Sequence, residues 1–450
     1  MTSSYDNICA MATPSGGAIG IVRVSGPDSI AIVERLFSRK ISEAKSHTMH
    51  YGVFASDSSM PVDDVMVGIF RAPHTYTGEN SVEIYCHGSR YIMSEIIRIL
   101  IESGCRQAEP GEFTRRAFVN GRMDLSQAEA VADLIAASGR ASHDMALGQL
   151  RGNISSELSA LRDKLLKMTS LMELELDFSD HEELEFADRS ELLQLATVIQ
   201  HRISSLASSF RTGQAIKQGI PVAIIGKTNV GKSTLLNRLV GEDKAIVSDI
   251  HGTTRDIIED TIDIHGVTFR FIDTAGLRTT DDVIEQIGIE RSYSAITKAA
   301  IILWVIDTIP SEEELADITT RCEGKQVIVV ANKTDKHPLP SSSFPFPTLS
   351  ISALQGQGMD ELTSAIYAKA DIPEIGENDA IITSARHYAS LQQALESITR
   401  VLDGLEMNIP NDLLSEDLRQ CLDALADITG GIITPSEVLN NIFSHFCIGK

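Results

Sequence analysis

The octapeptide Gly226-Lys227-Thr228-Asn229-Val230-Gly231-Lys232-Ser233 constrains this chain more than any other segment. It stands between a buried-strand pattern, Val222-Ala223-Ile224-Ile225, and a helical run, Thr234-Leu235-Leu236-Asn237-Arg238-Leu239. A strand that turns through glycines into a helix aims backbone N–H groups at one point, which makes an anion cradle. Lys232 adds a point charge for the outer phosphates, and the Ser233 hydroxyl is a ligand for Mg²⁺. A purely structural glycine turn does not account for strand, loop and helix all falling in register.

A second buried run, Val327-Ile328-Val329-Val330, leads into Asn332-Lys333-Thr334-Asp335. A carboxylate at Asp335 accepts from both the ring N–H and the exocyclic amine of guanine. Adenine has no N1–H and carries its amine at C6, so it does not match this pair, and a site built on such hydrogen bonds rejects the wrong base by roughly 10⁴–10⁵. Ser352-Ala353, after Thr348-Leu349-Ser350-Ile351, suits a loop closing over the base. Asp273-Thr274-Ala275-Gly276 follows the strand pattern Val267–Ile272. There Asp273 is placed to hold Mg²⁺ through water, and Gly276 leaves its N–H free for the γ-phosphate. Thr253-Thr254, between Gly252 and Arg255-Asp256, supplies a threonine for metal and γ-phosphate of the kind that orders with GTP. These ordered elements predict a Ras-like G domain over residues 218–372.

Leu277 follows Gly276, where many GTPases carry a water-orienting glutamine. Leucine forms no hydrogen bond to water, so the catalytic group must come from elsewhere. Glu285 is the first candidate, with Asp281 and Asp282 as alternatives; all three also suit a solvated loop. Asn229 is open to two readings: a turn stabiliser, or an oxygen ligand for a hard monovalent cation beside the phosphates.

At 450 residues the chain has room for two to four domains, and 43% hydrophobic content describes a globular protein. A net charge of −23 argues against a broad electrostatic grip on nucleic acid. Arg115-Arg116 with Arg122 is the one local basic candidate, a solvated face being the plainer reading. The cysteines (Cys9, Cys86, Cys105, Cys322, Cys421 and Cys447) form no Cys-x-x-Cys pair, and no secretory signal or membrane-length apolar run is evident. A cytoplasmic protein with reduced thiols and no membrane contact is expected.

Residues 1–120 read as mixed α/β, with strands over Ala18–Val24 and Ser81–Tyr85 and a helix over Tyr91–Ile101. Arg23 and Glu83 interrupt those strands, as outward charges or as ligand contacts. From Asp124 the period becomes helical. Asp124-Leu125-Ser126-Gln127 resembles a capping box, and Ile154, Leu158, Leu161, Leu165 and Met168 repeat at helical spacing. Another helix covers about 190–212, and helical patterns resume at Ala385–Leu402, Leu414–Ala426 and Pro435–Phe446. Thr434-Pro435-Ser436-Glu437 is a second capping box. The expected architecture is a helical domain (121–217 and 373–450) split by the G domain, with hinges near Gly213–Gly219 and Asp371–Asp379. The chain ends Phe446-Cys447-Ile448-Gly449-Lys450.

These features together resemble the tRNA-modification GTPases of the MnmE/TrmE family. The resemblance spans the chain: Ala12-Thr13-Pro14, Gly20–Gly26, Tyr76-Thr77-Gly78-Glu79, Pro110–Phe118, Asp124–Ala130, Gly252–Asp256 and the Phe-Cys-Ile-Gly-Lys ending. It implies an α/β plus all-α fold: an N-terminal α+β folate-binding-like dimerisation domain, a helical domain and an inserted Ras-like P-loop GTPase domain. It implies a homodimer working in a heterotetramer with an FAD/NADH-dependent enzyme on the wobble uridine of certain tRNAs. A one-carbon folate, 5-formyl- or 5,10-methylene-tetrahydrofolate, would supply carbon. GTP would lie against Asn229, Val230, Gly231, Lys232, Ser233, Thr234, the Ser248-Asp249-Ile250-His251-Gly252-Thr253-Thr254 stretch, Asp273–Gly276, Asn332, Lys333, Asp335, Ser352 and Ala353. Mg²⁺ would be held by Ser233 and Thr254, and K⁺ by Asn229, Ser248, Ile250 and Thr253. Glu285 matches the family's water-orienting glutamate. Arg23, Glu83, Arg122 and Lys450 fall at folate-associated positions. Arg122 replaces a lysine and Thr228 a common proline. Arg278 and Cys447 are candidates without an assigned step. The competing reading is a switch or RNA-assembly GTPase whose hydrolysis only times binding.

Overall fold

The computed structural model describes residues 6–56, 60–177, 189–242, 260–272, 295–336, 344–372, 379–431, 439, 442–444 and 446–449. The chain divides into two compact units. One comprises Met1–Ile135, Gln149–Ile203 and Ala389–Lys450; the other comprises Ala136–Gly148 and Ser204–Tyr388.

The first unit is built on strands β1 (Asn7–Met11), β2 (Ile19–Ser25), β3 (Thr48–Ala55), β4 (Pro61–Phe70), β5 (Ser81–His87) and β6 (Cys105–Gln107). They form one sheet in the order β3-β4-β5-β2-β1-β6, antiparallel except where β1 meets β6. Alternation decides its faces. Val22, Val24, Val82 and Ile84 are buried on one face, beneath α1 (Ser29–Leu36) and α2 (Arg90–Glu102) with Val33, Met93, Ile96 and Leu100. Arg23 and Glu83 point the other way, and the β2–β5 register sets them directly opposite one another. Next come α3 (Glu112–Val119) and α4 (Leu125–Ala136). The capping box expected before α4 is present: the Asp124 N–H donates to Gln127 Oε1 at 3.0 Å, and the Gln127 N–H donates to Asp124 Oδ1 at 2.9 Å.

Helix α5 (Arg140–Leu150) precedes α6 (Asn153–Asp177), whose Ile154, Leu158, Leu161, Leu165 and Met168 are all buried at the expected helical spacing. Helix α7 (Arg189–Gln218) is continuous through Gly213, where a hinge was expected. The capping box at Thr434–Glu437 lies outside the described residues.

The second unit holds β7 (Ile220–Ile225), β8 (Asp260–Ile264), β9 (Val267–Phe271), β10 (Ile301–Ile306), β11 (Gln326–Ala331) and β12 (Thr348–Ser350). Their order is β12-β11-β10-β7-β9-β8, parallel except for β8. Every residue of β10 is buried, as a central parallel strand covered on both faces requires. Helices α8 (Lys232–Glu242), α9 (Glu312–Arg321) and α10 (Met359–Lys369) belong to this unit. Two further helices are α11 (Ala385–Glu406) and α12 (Asn411–Thr429), and α12 packs against α6.

Strand β7 has β10 on one side and β9 on the other, so it is a topological switch point, where open α/β sheets bind ligands beyond their strands' carboxyl ends.

Candidate functional site

The phosphate-type loop leaves β7 at that point. Gly226 has φ +144°, and a β-carbon there would lie 2.2 Å from the Val305 carbonyl oxygen. At Gly231, φ is +101° and a β-carbon would lie 2.3 Å from Asn332 Nδ2. Backbone conformation and close approach both demand glycine at these two positions. Asn229 takes φ +64°, a region asparagine enters more readily than other side chains. Val230 is buried in the sheet core and anchors the loop from below.

Lys232 opens α8, and its ammonium donates to the carbonyl oxygens of Gly226, at 2.7 Å, and Lys227. Burial pushes its pKa below the ordinary lysine value. Those carbonyls carry no formal charge, so an anion at the loop would compensate the ammonium more fully. Ser233 and Thr234 follow in the first turn of α8.

Three further strand ends brace this loop. Asn332, buried after β11, donates from Nδ2 to the Val230 carbonyl at 2.8 Å and accepts from the Ala353 N–H at 3.0 Å. One amide therefore joins the phosphate-type loop to the Ser-Ala loop. Lys333 donates to the Asn229 carbonyl at 2.6 Å and to Asp307 Oδ2 at 2.8 Å. The buried Ser352 hydroxyl donates to Asp335 Oδ1 at 2.8 Å, fixing the carboxylate's rotation. Asp307 was missed in the sequence; its signal was an acid directly after the fully apolar run of β10. Ser248 through Thr254, Asp273 through Gly276, Arg278, Asp281, Asp282, Glu285 and Lys450 lie outside the described residues.

The first unit brings together a second set. Arg23 donates from Nε to Glu83 Oε1 at 3.0 Å, with Nη2 at 2.9 Å from the same oxygen. Its Nη1 donates to the Gly449 carbonyl at 3.2 Å, so Gly449 docks beside the pair. The guanidinium lies 5.6 Å from the ring centres of both Tyr76 and Phe113, within cation–π range. Tyr85 donates to Glu83 Oε2 at 2.6 Å; burial and that carboxylate push its phenol pKa up to about 12. Arg122 donates to the Thr75 carbonyl at 3.0 Å, beside Tyr76. Cys447 is exposed.

The Arg115-Arg116 basic patch is not there. Arg115 pairs with Glu109 at 3.0 Å, and the Arg116 side chain is only 11% exposed among Asp6, Glu79 and Glu112. Its charge is spent on Asp6 and Glu79, distant in sequence, and on Glu112 one helical turn before it, so it is not a solvated face.

A parallel sheet with a glycine loop at its switch strand, and an Asn-Lys-x-Asp loop tied to a Ser-Ala loop, defines a P-loop GTPase. The family model for the MnmE helical domain matches residues 125–447, and that for the N-terminus of the GTP-binding protein TrmE matches residues 7–122. A Bacteroides fragilis protein named tRNA modification GTPase MnmE is 53% identical, over 99% of this chain and 100% of its own length. Proteins of the same name from Phocaeicola vulgatus and Flavobacterium psychrophilum are 51% and 44% identical, each covering 99% of both chains. The chain belongs to the MnmE family. Its fold class is α/β plus all-α, with an N-terminal α+β domain, a helical domain and an inserted Ras-like GTPase domain. Among the described residues, no helix is long and apolar enough to cross a membrane.

Proposed function

We propose that this chain is a potassium-activated GTPase that modifies tRNA, adding a (carboxymethyl)aminomethyl-type group to C5 of a wobble uridine. It works in the cytoplasm as a homodimer, in a heterotetramer with an FAD/NADH-dependent enzyme, and takes its carbon from 5-formyl- or 5,10-methylene-tetrahydrofolate. Its domains are residues 1–120, 121–217 with 373–450, and 218–372. The relatives named tRNA modification GTPase support this reading across their whole length.

One observation carries it: besides the guanine-type loops, the chain gathers Arg23, Glu83 and the Gly449 carbonyl into a polar cluster on the N-terminal sheet. A GTPase that only timed assembly has no use for that cluster. Donors from Arg23 and an acceptor carboxylate at Glu83 fit a folate's pterin or carboxylates, with Arg122 and Lys450 completing the set. Gly231 fits GTP, because its bare α-carbon leaves the room that a β-carbon would fill against Asn332. Asn229, exposed at the loop, has the oxygen that a potassium ion requires. With Ser248, Ile250 and Thr253 it holds that ion, whose charge substitutes for an arginine finger. Ser233 and Thr254 hold Mg²⁺, and Glu285 orients water.

GTP turnover in potassium against sodium, at equal ionic strength, tests the reading in wild type and Glu285→Ala. Strong potassium dependence is expected, with turnover lost but GTP binding kept in the variant. Equal rates in the two salts would remove Asn229 as a cation ligand and favour the switch-only GTPase. Failure of cells lacking the protein to lose the modified wobble uridine would refute the tRNA role.

A further inference from the structure

The first unit contains a charge network that the proposed chemistry does not use. Arg116 Nη1 donates to the Asp6 backbone carbonyl at 2.9 Å and to Glu79 Oε2 at 3.2 Å. Its Nη2 donates to Glu112 Oε1 at 3.1 Å and also bonds the Asp6 carboxylate. Arg106 closes the network from behind, on Glu112 Oε1 at 2.6 Å and Asp6 Oδ2 at 2.8 Å. The Glu112 side chain is 2% exposed. Burial alone would raise the carboxyl pKa values of Glu112 and Asp6, yet hydrogen bonds from the arginines hold both below their usual range.

Buried ion pairs are poor stabilisers, because desolvation offsets their attraction, and an apolar cluster often serves as well. Such a network does fix one geometry, and here that is the geometry of the Thr75–Glu79 loop. Glu79 Oε2 accepts from the buried Ser25 hydroxyl at 2.9 Å as well as from Arg116, and Ser25 shares a face of β2 with Arg23. The Thr75 hydroxyl donates to the Glu79 carbonyl at 2.7 Å, and Asn120 donates to the Thr77 carbonyl at 2.7 Å. The Tyr76 phenol meets Thr114 Oγ1 at 2.8 Å. Thr114, Arg116 and Phe113 all stand on α3, so one helix fixes the loop and also lies against Arg23. Between these ties the loop carries Tyr76, 38% exposed, with its ring beside the Arg23 guanidinium.

We propose that Arg116 is a positioning residue for the Arg23–Glu83 site: by holding Glu79 it sets the Thr75–Glu79 loop so that Tyr76 and Arg23 together receive a flat, anionic heteroaromatic ligand. The inference rests on the folate reading of that site. It explains why Arg116 of the Pro110–Phe118 motif is turned onto carboxylates rather than presented to a polyanion.

The test is titration calorimetry with 5-formyl-tetrahydrofolate on the full chain, for wild type, Arg116→Lys and Glu79→Gln. Each is measured well below its own melting temperature, with hydrogen exchange of residues 75–79 recorded alongside. Glu79→Gln keeps the side chain's size and removes its charge, so it decides the matter even if the arginine variant folds poorly. The expected result is an affinity loss of about tenfold or more, the worth of one charge-assisted hydrogen bond. It should come with faster exchange in residues 75–79 and unchanged protection in β2 and β5, a local signature that general destabilisation does not give. Wild-type affinity in Glu79→Gln overturns the positioning role and leaves the site standing. A wild-type chain that binds no folate overturns the site reading, and the positioning role with it.

Discussion

Ser352 holds one oxygen of the Asp335 carboxylate at 2.8 Å, so the group is already turned before any base arrives. Base choice then rests on charge and hydrogen-bond direction at this one residue. Asp335→Asn replaces an acceptor with a donor, which suits a ring bearing a carbonyl where guanine has its amine. GTP affinity should fall by about 10- to 100-fold, the worth of a hydrogen bond to a charged group, while xanthosine triphosphate gains. Competition binding with the two nucleotides measures this, and parallel losses for both would count against Asp335 as the base reader. Lys232 makes a complementary case. Its folded pKa lies below the unfolded value of about 10.4, so at neutral pH the folded state carries the cost of a buried charge. That cost disappears only as pH rises past the folded value, or when an anion or an apolar side chain replaces the need for it. Lys232→Met should therefore melt no lower than wild type without nucleotide. It should also lose the stabilisation of about 2.7 kcal/mol that a ligand at a hundred times its Kd confers. A variant that melts lower without nucleotide would show the ammonium's carbonyl contacts to be stabilising.

Helix α7 shows how local preference and packing part company. Gly213 lies in its interior, and alanine there would raise helix propensity by about 1 kcal/mol. The added methyl would sit 2.2 Å from the Ile382 carbonyl oxygen, a rigid backbone neighbour. Overpacking costs about 1–3 kcal/mol, so Gly213→Ala should lower the melting temperature; a rise would mean that the 379–383 segment yields freely. A glycine that looks like a hinge from its neighbours in sequence is thus a contact point with a segment far along the chain. The same distinction runs through the molecule. The α4 capping box, the burial stripe of α6, strands β2, β5, β7, β9 and β11 and the glycine loop were legible because each is encoded within a short stretch of sequence. The contacts of Arg116 with Asp6 and Glu79, the brace between Asn332 and Ala353, and the pairing of Lys333 with Asp307 were not, because each joins segments distant in sequence that only the fold brings together. The docking of Ala141 is of that kind as well: its N–H donates to the Gly266 carbonyl at 2.8 Å in the β8–β9 turn.

A chain with net charge −23 repels itself at neutral pH, so mild acidification first relieves that repulsion. The arginine-bound carboxylates act in the opposite direction. Hydrogen bonds from Arg106 and Arg116 outweigh burial at Glu112, and at Asp6 likewise, so both carboxyls titrate lower in the folded chain than their unfolded values of about 4.3 and 3.9. A group shifted this way contributes its full stabilisation above the unfolded value and loses it as pH falls through the folded one. The two effects therefore act in different windows: repulsion is relieved on approaching pH ~5, and the arginine–carboxylate network fails below pH ~4. Glu112→Gln should be less stable than wild type at pH 7, with a gap that shrinks steadily below pH ~4 as the native carboxylate is protonated. The probe must report on the first unit. The single tryptophan, Trp304, lies in β10 of the other, so its fluorescence follows the nucleotide sheet. Hydrogen exchange of the β1 and β2 amides across pH 3 to 7 reads the right unit. A gap that stayed constant through that range would mean that the Glu112 carboxylate's charge contributes nothing and that only its shape is needed.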